Sequence, residues 1–159
     1  MDRQTVVMQL RPYRASDFEA LYQIDQACFP AGVSYSREEL GEFIGHRSSN
    51  TWVAEAEQEI AGFLVAGREP GRVGHIITLD VAAPWRRRGV GSALMDAAED
   101  WAALQRSALI YLETAEDNTP AQRFYAARGY EKFETIEGYY ANGRAAWVMV
   151  KRLEAEDEE

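Results

Sequence analysis

The chain has 159 residues, enough for one domain with a core able to fold alone. Its apolar share is 47% and its apolar runs are short and broken by charge, which excludes a membrane-spanning helix. The formal net charge is −9, but Glu154, Glu156, Asp157, Glu158 and Glu159 supply five of the acidic residues, and without them 17 basic residues face 21 acidic ones. Such a mildly acidic body excludes a nucleic-acid partner, because phosphate binding needs a basic face. The start MDRQTVVMQL lacks a secretory pattern, and Cys28, the single cysteine, excludes an internal disulfide, so a cytoplasmic location is expected. Residues 1–153 are read as one domain and 154–159 as a disordered acidic tail. Monomer and homodimer both remain open.

Val6, Met8 and Leu10 alternate, predicting a first strand ended by Pro12. Ser16 and Glu19 have capping-box spacing before a helix with Phe18, Leu21, Tyr22 and Cys28 on its apolar face. Ser36 and Glu39 repeat the signal before a helix carrying Leu40, Phe43 and Ile44. Residues 51–56 and 60–66 read as a hairpin turning near Gln58, and 72–81 as a longer strand. Val90, Leu94, Ala97, Ala98, Trp101 and Leu104 recur at helical spacing, opposite Asp96, Glu99 and Asp100. Residues 108–113 form a short buried strand. Asn118-Thr119-Pro120 starts another helix, with Pro120 at its first position and Gly129 at its end. Two strands follow, 130–136 and 145–151, with Asn142-Gly143 as the hairpin turn between them. The order β-α-α-β-β-β-α-β-α-β-β predicts an α/β (α+β) fold: a mixed sheet of six to seven strands with helices on both faces.

The segment Arg86-Arg87-Arg88-Gly89-Val90-Gly91-Ser92 lies between a strand and an amphipathic helix. Glycines let successive N–H groups turn inward, the helix start adds unpaired donors and a positive dipole end, and the arginines add charge. Together they suit a pyrophosphate, each charged hydrogen bond contributing roughly 1.5–3 kcal/mol. A P-loop would need Gly-Lys-Ser/Thr, and Gly91 is followed by Ser92-Ala93. A dinucleotide fingerprint would need Gly or Ala at Leu94. Taken alone, Gly89 and Gly91 also suit a plain turn beside a solvated charge run.

Arg-x-x-Gly-x-Gly, as Arg86 to Gly91, resembles the Gln/Arg-x-x-Gly-x-Gly/Ala motif of the GCN5-related N-acetyltransferases. Glu113-Thr114 through Asn118, Ala121, Gln122, Phe124 and Tyr125 resembles the Leu-Glu…Asn-x-x-Ala-x-x-x-Tyr stretch of the ribosomal-protein alanine N-acetyltransferase and N-terminal acetyltransferase branch. Arg128-Gly129-Tyr130 and the pair Tyr139-Tyr140 are similar to its later motifs. The resemblance implies acetyl-CoA as co-substrate: its pyrophosphate on Arg86, Arg87, Arg88, Gly89, Val90, Gly91 and Ser92, and its pantetheine along a bulged, splayed strand end at Leu79, Asp80 and Val81. Asn118, Ala121 and Phe124 would complete the cofactor side.

An amine must lose a proton to attack a thioester, and the departing thiolate gains from receiving one. The resemblance makes Glu113 the general base, Tyr125 the general acid and the Val81 N–H an oxyanion donor. Without it, Tyr125 reads as core, Glu113 as a solvated strand-end charge or cap partner, and Asn118 as an N-cap. His46 and His75 lie far apart with no ligand spacing, so no metal is expected, and Cys28 reads as a buried filler.

The resemblance places the acceptor between residues 29–36 and 136–144, at Phe29, Pro30, Tyr35, Tyr139 and Tyr140. Tyr139 and Tyr140 also suit aromatics that merely stiffen a hairpin. Phe29-Pro30 is similar to the branch's Phe-Pro, but Ala31-Gly32-Val33-Ser34-Tyr35 replaces its usual Trp, and Ala115 stands where Arg is common. An N-terminal α-amino group is the leading acceptor. A small-molecule amine, a non-catalytic CoA-binding sensor and a plain interaction domain are the alternatives.

Overall fold

A computed structural model describes residues 7–153; Val6 and the acidic tail lie outside them. Strand β1 is Gln9–Pro12, with Pro12 its last residue. The expected Ser16–Glu19 capping box is absent. Residues Ala15–Asp17 make one 3₁₀ turn, in which buried Asp17 accepts the Arg14 amide at 2.7 Å and both terminal guanidinium nitrogens of Arg11 at 2.9 Å. A buried carboxylate held by a fork of charged donors supersedes an exposed serine at the helix start. Glu19 pairs instead with Arg37. Helix α1 is Phe18–Cys28 and helix α2 is Arg37–Gly45. The second capping box forms as expected, with Glu39 N to Ser36 Oγ at 3.0 Å and Ser36 N to Glu39 Oε1 at 2.9 Å.

Strands β2 (Ser49–Ala56) and β3 (Glu59–Glu69) turn through Glu57 and Gln58, whose φ angles of 52° and 67° make a type I′ turn. Next come β4 (Val73–Val81), α3 (Val90–Leu104), β5 (Leu109–Ala115), α4 (Thr119–Ala127), β6 (Glu131–Ile136) and β7 (Ala146–Arg152). Asn118 caps α4, but Thr119 is the first helical residue and Pro120 the second, a position where a missing N–H also costs no helix bond. Helix α4 ends in a Schellman motif: Tyr130 N bonds Tyr125 O and Gly129 N bonds Ala126 O, each at 3.0 Å.

The sheet has seven strands in the order β1-β2-β3-β4-β5-β7-β6, and only the β4–β5 pair is parallel. One face packs on α1 and α2 through Leu21, Leu40, Val53, Phe63 and Val65. The other packs on α3 and α4 through Leu64, Val90, Leu94, Met95, Ala98 and Tyr125. Each such buried large side chain stabilises the fold by about 1.5–3 kcal/mol. Asn142-Gly143 does not form a two-residue hairpin. It sits in a longer loop, where Gly143 N bonds Tyr140 O at 2.8 Å, and its neighbours are held by the loop between α1 and α2.

Two irregularities in β4 position the site. Val65 pairs with Thr78 and Ala66 with Ile76, so Ile77 is an extra, bulged residue. Beyond it, β4 and β5 diverge: they pair only where Val73, Gly74 and His75 face Leu109, Ile110 and Tyr111.

Candidate active site

A cavity of about 380 Å³ opens in the V between the two strands, within the size range of small-ligand sites. Its lining includes Leu79 from β4, Glu113 from β5, and Asn118, Ala121 and Tyr125 from α4 and its cap. Phe29, Pro30 and Tyr35 come from the loop between α1 and α2, and Tyr139 and Tyr140 from the loop between β6 and β7. All five acceptor-side residues expected from sequence thus meet Glu113 and Tyr125 in one space. Cys28 lines it too and is only partly buried, so it is not the sealed core filler expected from sequence.

Ala82 N bonds Ala61 O at 2.8 Å. Because an antiparallel ladder alternates, the preceding Val81 turns its own N–H and C=O away from β3, toward the V. Its carbonyl accepts Arg86 Nε at 2.9 Å and Cys28 Sγ at 3.4 Å. The Arg86 side chain therefore braces the strand end. Arg88 lies 5.4 Å from the Trp85 ring centroid, and Arg87 is exposed. The Asp80 side chain points to the opposite face of the sheet from Leu79 and is 1% exposed, so only its backbone can serve a ligand in the V.

Gly89 caps α3 with φ 91°, a conformation open to glycine and strained for other residues. A Cβ on Gly91 would lie 3.4 Å from Phe124 Cζ and 3.8 Å from Val81 Cγ2, so the glycine turn, Phe124 and the end of β4 are contiguous. Val90 packs into the core and Ser92 follows in the first turn of α3, whose leading amides have no intrahelical partner.

The sequence reading set His75 aside, yet it is the closest partner of Glu113. His75 Nε2 lies 2.8 Å from Glu113 Oε1, and His75 Nδ1 lies 3.1 Å from Glu69 Oε2. Its ring stacks on Tyr111 at 4.2 Å, and the Tyr111 hydroxyl donates to Glu69 at 2.8 Å. The alternation of β4 and β5 could have suggested a side-by-side His75 and Tyr111, but no motif marked the pair.

Burial raises the phenol pKa values of Tyr35, Tyr125 and Tyr140 well above the usual range, and that of Tyr139 to about 12. All four are neutral hydrogen-bond donors at neutral pH. Among the described residues no cluster of His, Cys, Asp or Glu suits a metal, and no helix is long and apolar enough to cross a membrane.

The two acceptor-side loops are clasped. Ala141 N bonds Gly32 O at 3.1 Å and Asn142 Nδ2 bonds Ala31 O at 3.2 Å, while Asp117 and Arg144 form an ion pair beside them. Gly32 has φ 90°, and a Cβ there would stand 2.6 Å from Asn142 Cβ and 2.8 Å from its backbone nitrogen. Gly32→Ala should therefore part the loops at a cost of about 1–3 kcal/mol, or roughly 2–4 °C of Tm per kcal/mol. It should raise the acceptor KM with acetyl-CoA affinity unchanged. Steady-state kinetics beside calorimetry check this, and an unchanged acceptor KM would mean that the clasp does not shape the entrance.

The V thus carries Glu113 and Tyr125 in its cavity, and the glycine turn at the start of α3 lies against Phe124 and the end of β4. The chain belongs to the acetyltransferase (GNAT) family, whose profile matches residues 18–130. It is 26% identical to an N-alpha-acetyltransferase of Sulfurisphaera tokodaii, over 91% of this chain and 93% of that protein. Crystallised Ard1 from Thermoplasma volcanium is 27% identical, with a TM-score of 0.84 over 94% of this chain and all of that one. Arabidopsis thaliana Naa50, solved with the bisubstrate analogue CoA-Ac-MVNAL, is 28% identical with a TM-score of 0.79, over 92% of this chain and 99% of that one. The protein is an acetyl-CoA-dependent N-acetyltransferase. The glycine turn, the free helix amides and the divergent strands fit its co-substrate.

Proposed function

We propose that the protein acetylates the α-amino group at the N-terminus of a protein or peptide. The observation that carries this reading is the cavity itself: a clasped, tyrosine-lined entrance that leads to Glu113 and Tyr125 beside the V. Relatives named as N-alpha-acetyltransferases support the acceptor class.

Acetyl-CoA supplies an acetyl thioester. Gly89 and Gly91, the amides around Ser92, and Arg87 and Arg88 hold its pyrophosphate, while the backbone of Leu79 and the face of Ala121, Asn118 and Phe124 hold its arm. Tyr139 and Tyr140 orient the acceptor by hydrogen bonds, beside Tyr35, whose own O–H is engaged by Ile77 O. Glu113 takes the proton that the amine sheds as the C–N bond forms. Tyr125 gives one to the sulfur as the C–S bond breaks. The Val81 N–H, turned into the V, stabilises charge on the acyl oxygen.

His75 is a positioning and relay residue. Each of its ring nitrogens faces a carboxylate, and a neutral imidazole has only one N–H to offer two acceptors. The Glu69–His75–Glu113 chain leads from the cavity to the more exposed Glu69 and offers a path for the proton that Glu113 takes. His75→Gln should lower kcat by about 10², displace the pH–rate profile and leave acetyl-CoA affinity intact. An unmoved pH profile would remove the relay. The acceptor class is tested by thiol release with one peptide whose N-terminus is free, the same peptide blocked there but bearing a lysine, and a panel of small amines. Release with the free N-terminus alone is expected; release confined to small amines would overturn the reading.

A further inference from the structure

Beneath β4, on the face opposite the cradle, two acidic side chains meet that the mechanism above does not use. Asp25 of α1 is 0% exposed and Asp80 of β4 is 1% exposed. Asp25 Oδ2 accepts the Tyr35 amide at 2.8 Å, and Asp80 Oδ1 accepts the Thr78 hydroxyl at 2.5 Å. The remaining oxygens, Asp25 Oδ1 and Asp80 Oδ2, are buried without a donor, and the two carboxyl groups lie within hydrogen-bonding reach of each other.

Two facing acceptors out of water repel, and each unsatisfied one is costly. One proton between them satisfies both; a second would have no acceptor left to face. We propose that Asp25 and Asp80 share a single proton and act as one hydrogen-bonded unit that fastens the acceptor-side loop, through Tyr35, to strand β4. Tyr35 is tied at both ends, since its hydroxyl also donates to the bulged Ile77 carbonyl at 3.2 Å. The pair thus sets where an acceptor-lining tyrosine stands relative to the bulge, and in this respect the inference rests on the acetyltransferase reading.

The groups around the pair agree. Burial comes first and Asp25 second in raising the Asp80 pKa well above the ordinary carboxylate range, with Thr78 and the Arg86 guanidinium acting the other way. Cys28 faces it from α1, and Tyr125 of α4 senses it across the strand; burial first and then the nearness of Asp80 raise both. A raised folded-state pKa makes its contribution to stability complete below the unfolded carboxylate pKa and loses it as pH rises through the folded value.

The test compares the parent with Asp25→Asn, Asp80→Asn and the double variant by thermal unfolding from pH 5 to pH 8, which requires no acceptor. In either single variant an amide N–H replaces the shared proton, so both fold. The Tm advantage of Asp80→Asn over the parent should grow by up to roughly 3–5 °C per pH unit while the pair titrates. The double variant sets one amide N–H₂ against another and should melt well below either single. Asp25→Ala should raise the acceptor KM about tenfold, and Asp25→Asn should restore it. A parent whose Tm stays parallel to that of Asp80→Asn across the range, single variants that fail to fold, or single-variant effects that simply add in the double would overturn the proposal. Failure to find an acceptor would count against the acetyl-transfer reading alone, because the unfolding arms stand without it.

Discussion

Tyr125→Phe is expected to lower kcat by about 10²–10⁴ while the fold and acetyl-CoA affinity hold. The ring is 8% exposed and packs edge-on against Phe124 at 5.2 Å and Tyr130 at 5.7 Å, contacts that phenylalanine keeps. Only the hydroxyl is lost. Burial, chiefly, and then Asp80 and Tyr140 raise the phenol pKa, so the group enters the reaction protonated and able to donate. The Schellman turn beneath it fixes Tyr130, whose own hydroxyl is bound to Glu99 at 2.8 Å, and so fixes the ring on which Tyr125 rests. Thiol release under saturating acceptor, alongside calorimetric titration with acetyl-CoA, separates the two quantities. Unaltered turnover would take the acid role from Tyr125.

The second large effect is expected at the cradle. Gly89→Asp should weaken acetyl-CoA binding by about 10²–10⁴, the equivalent of two charged hydrogen bonds at roughly 1.5–3 kcal/mol each. Three causes act together. At φ 91° a side chain strains the backbone, its added bulk would stand at the N-cap of α3 where a phosphate would approach, and a carboxylate would claim the positive helix end. Gly89→Ala, which adds bulk without charge, should lose less. Titration calorimetry with acetyl-CoA measures both, and normal affinity in the Gly89→Asp variant would mean that the pyrophosphate lies elsewhere.

How much of this was legible in the sequence follows from the range of the forces involved. Helix α3 was readable to its ends because its apolar stripe is long and its glycine start is local. The turn at Glu57-Gln58 and the Ser36 cap were readable for the same reason. The Ser16 cap misled because its competitor, Arg11, reaches Asp17 from another element, and no local pattern registers that ion pair. Asn142-Gly143 misled likewise: its loop is shaped by Gly32, far away in sequence. Arg86 to Ser92, marked by one family motif, lie outside the cavity lining, whereas Glu113, Asn118, Ala121, Tyr125 and the two acceptor-side loops line it and were anticipated. His75 was not, because its meaning lies in register, where β4 and β5 bring it beside Tyr111 and Glu113. Nor could spacing reveal that Asp25 and Asp80 face one another across two layers.

The short seam between β4 and β5 has a consequence for the molecule as a whole. The strands β1 to β4 and the strands β5, β7 and β6 are stitched directly at three residues and then part. On the binding mode proposed above, a co-substrate in the gap would stand in for missing rungs of the ladder, mortar as well as reagent. Binding to the folded state alone adds about 2.7 kcal/mol of stability when the ligand stands at a hundredfold over its Kd. On that reading the supply of acetyl donor would set the durability of the enzyme together with its speed.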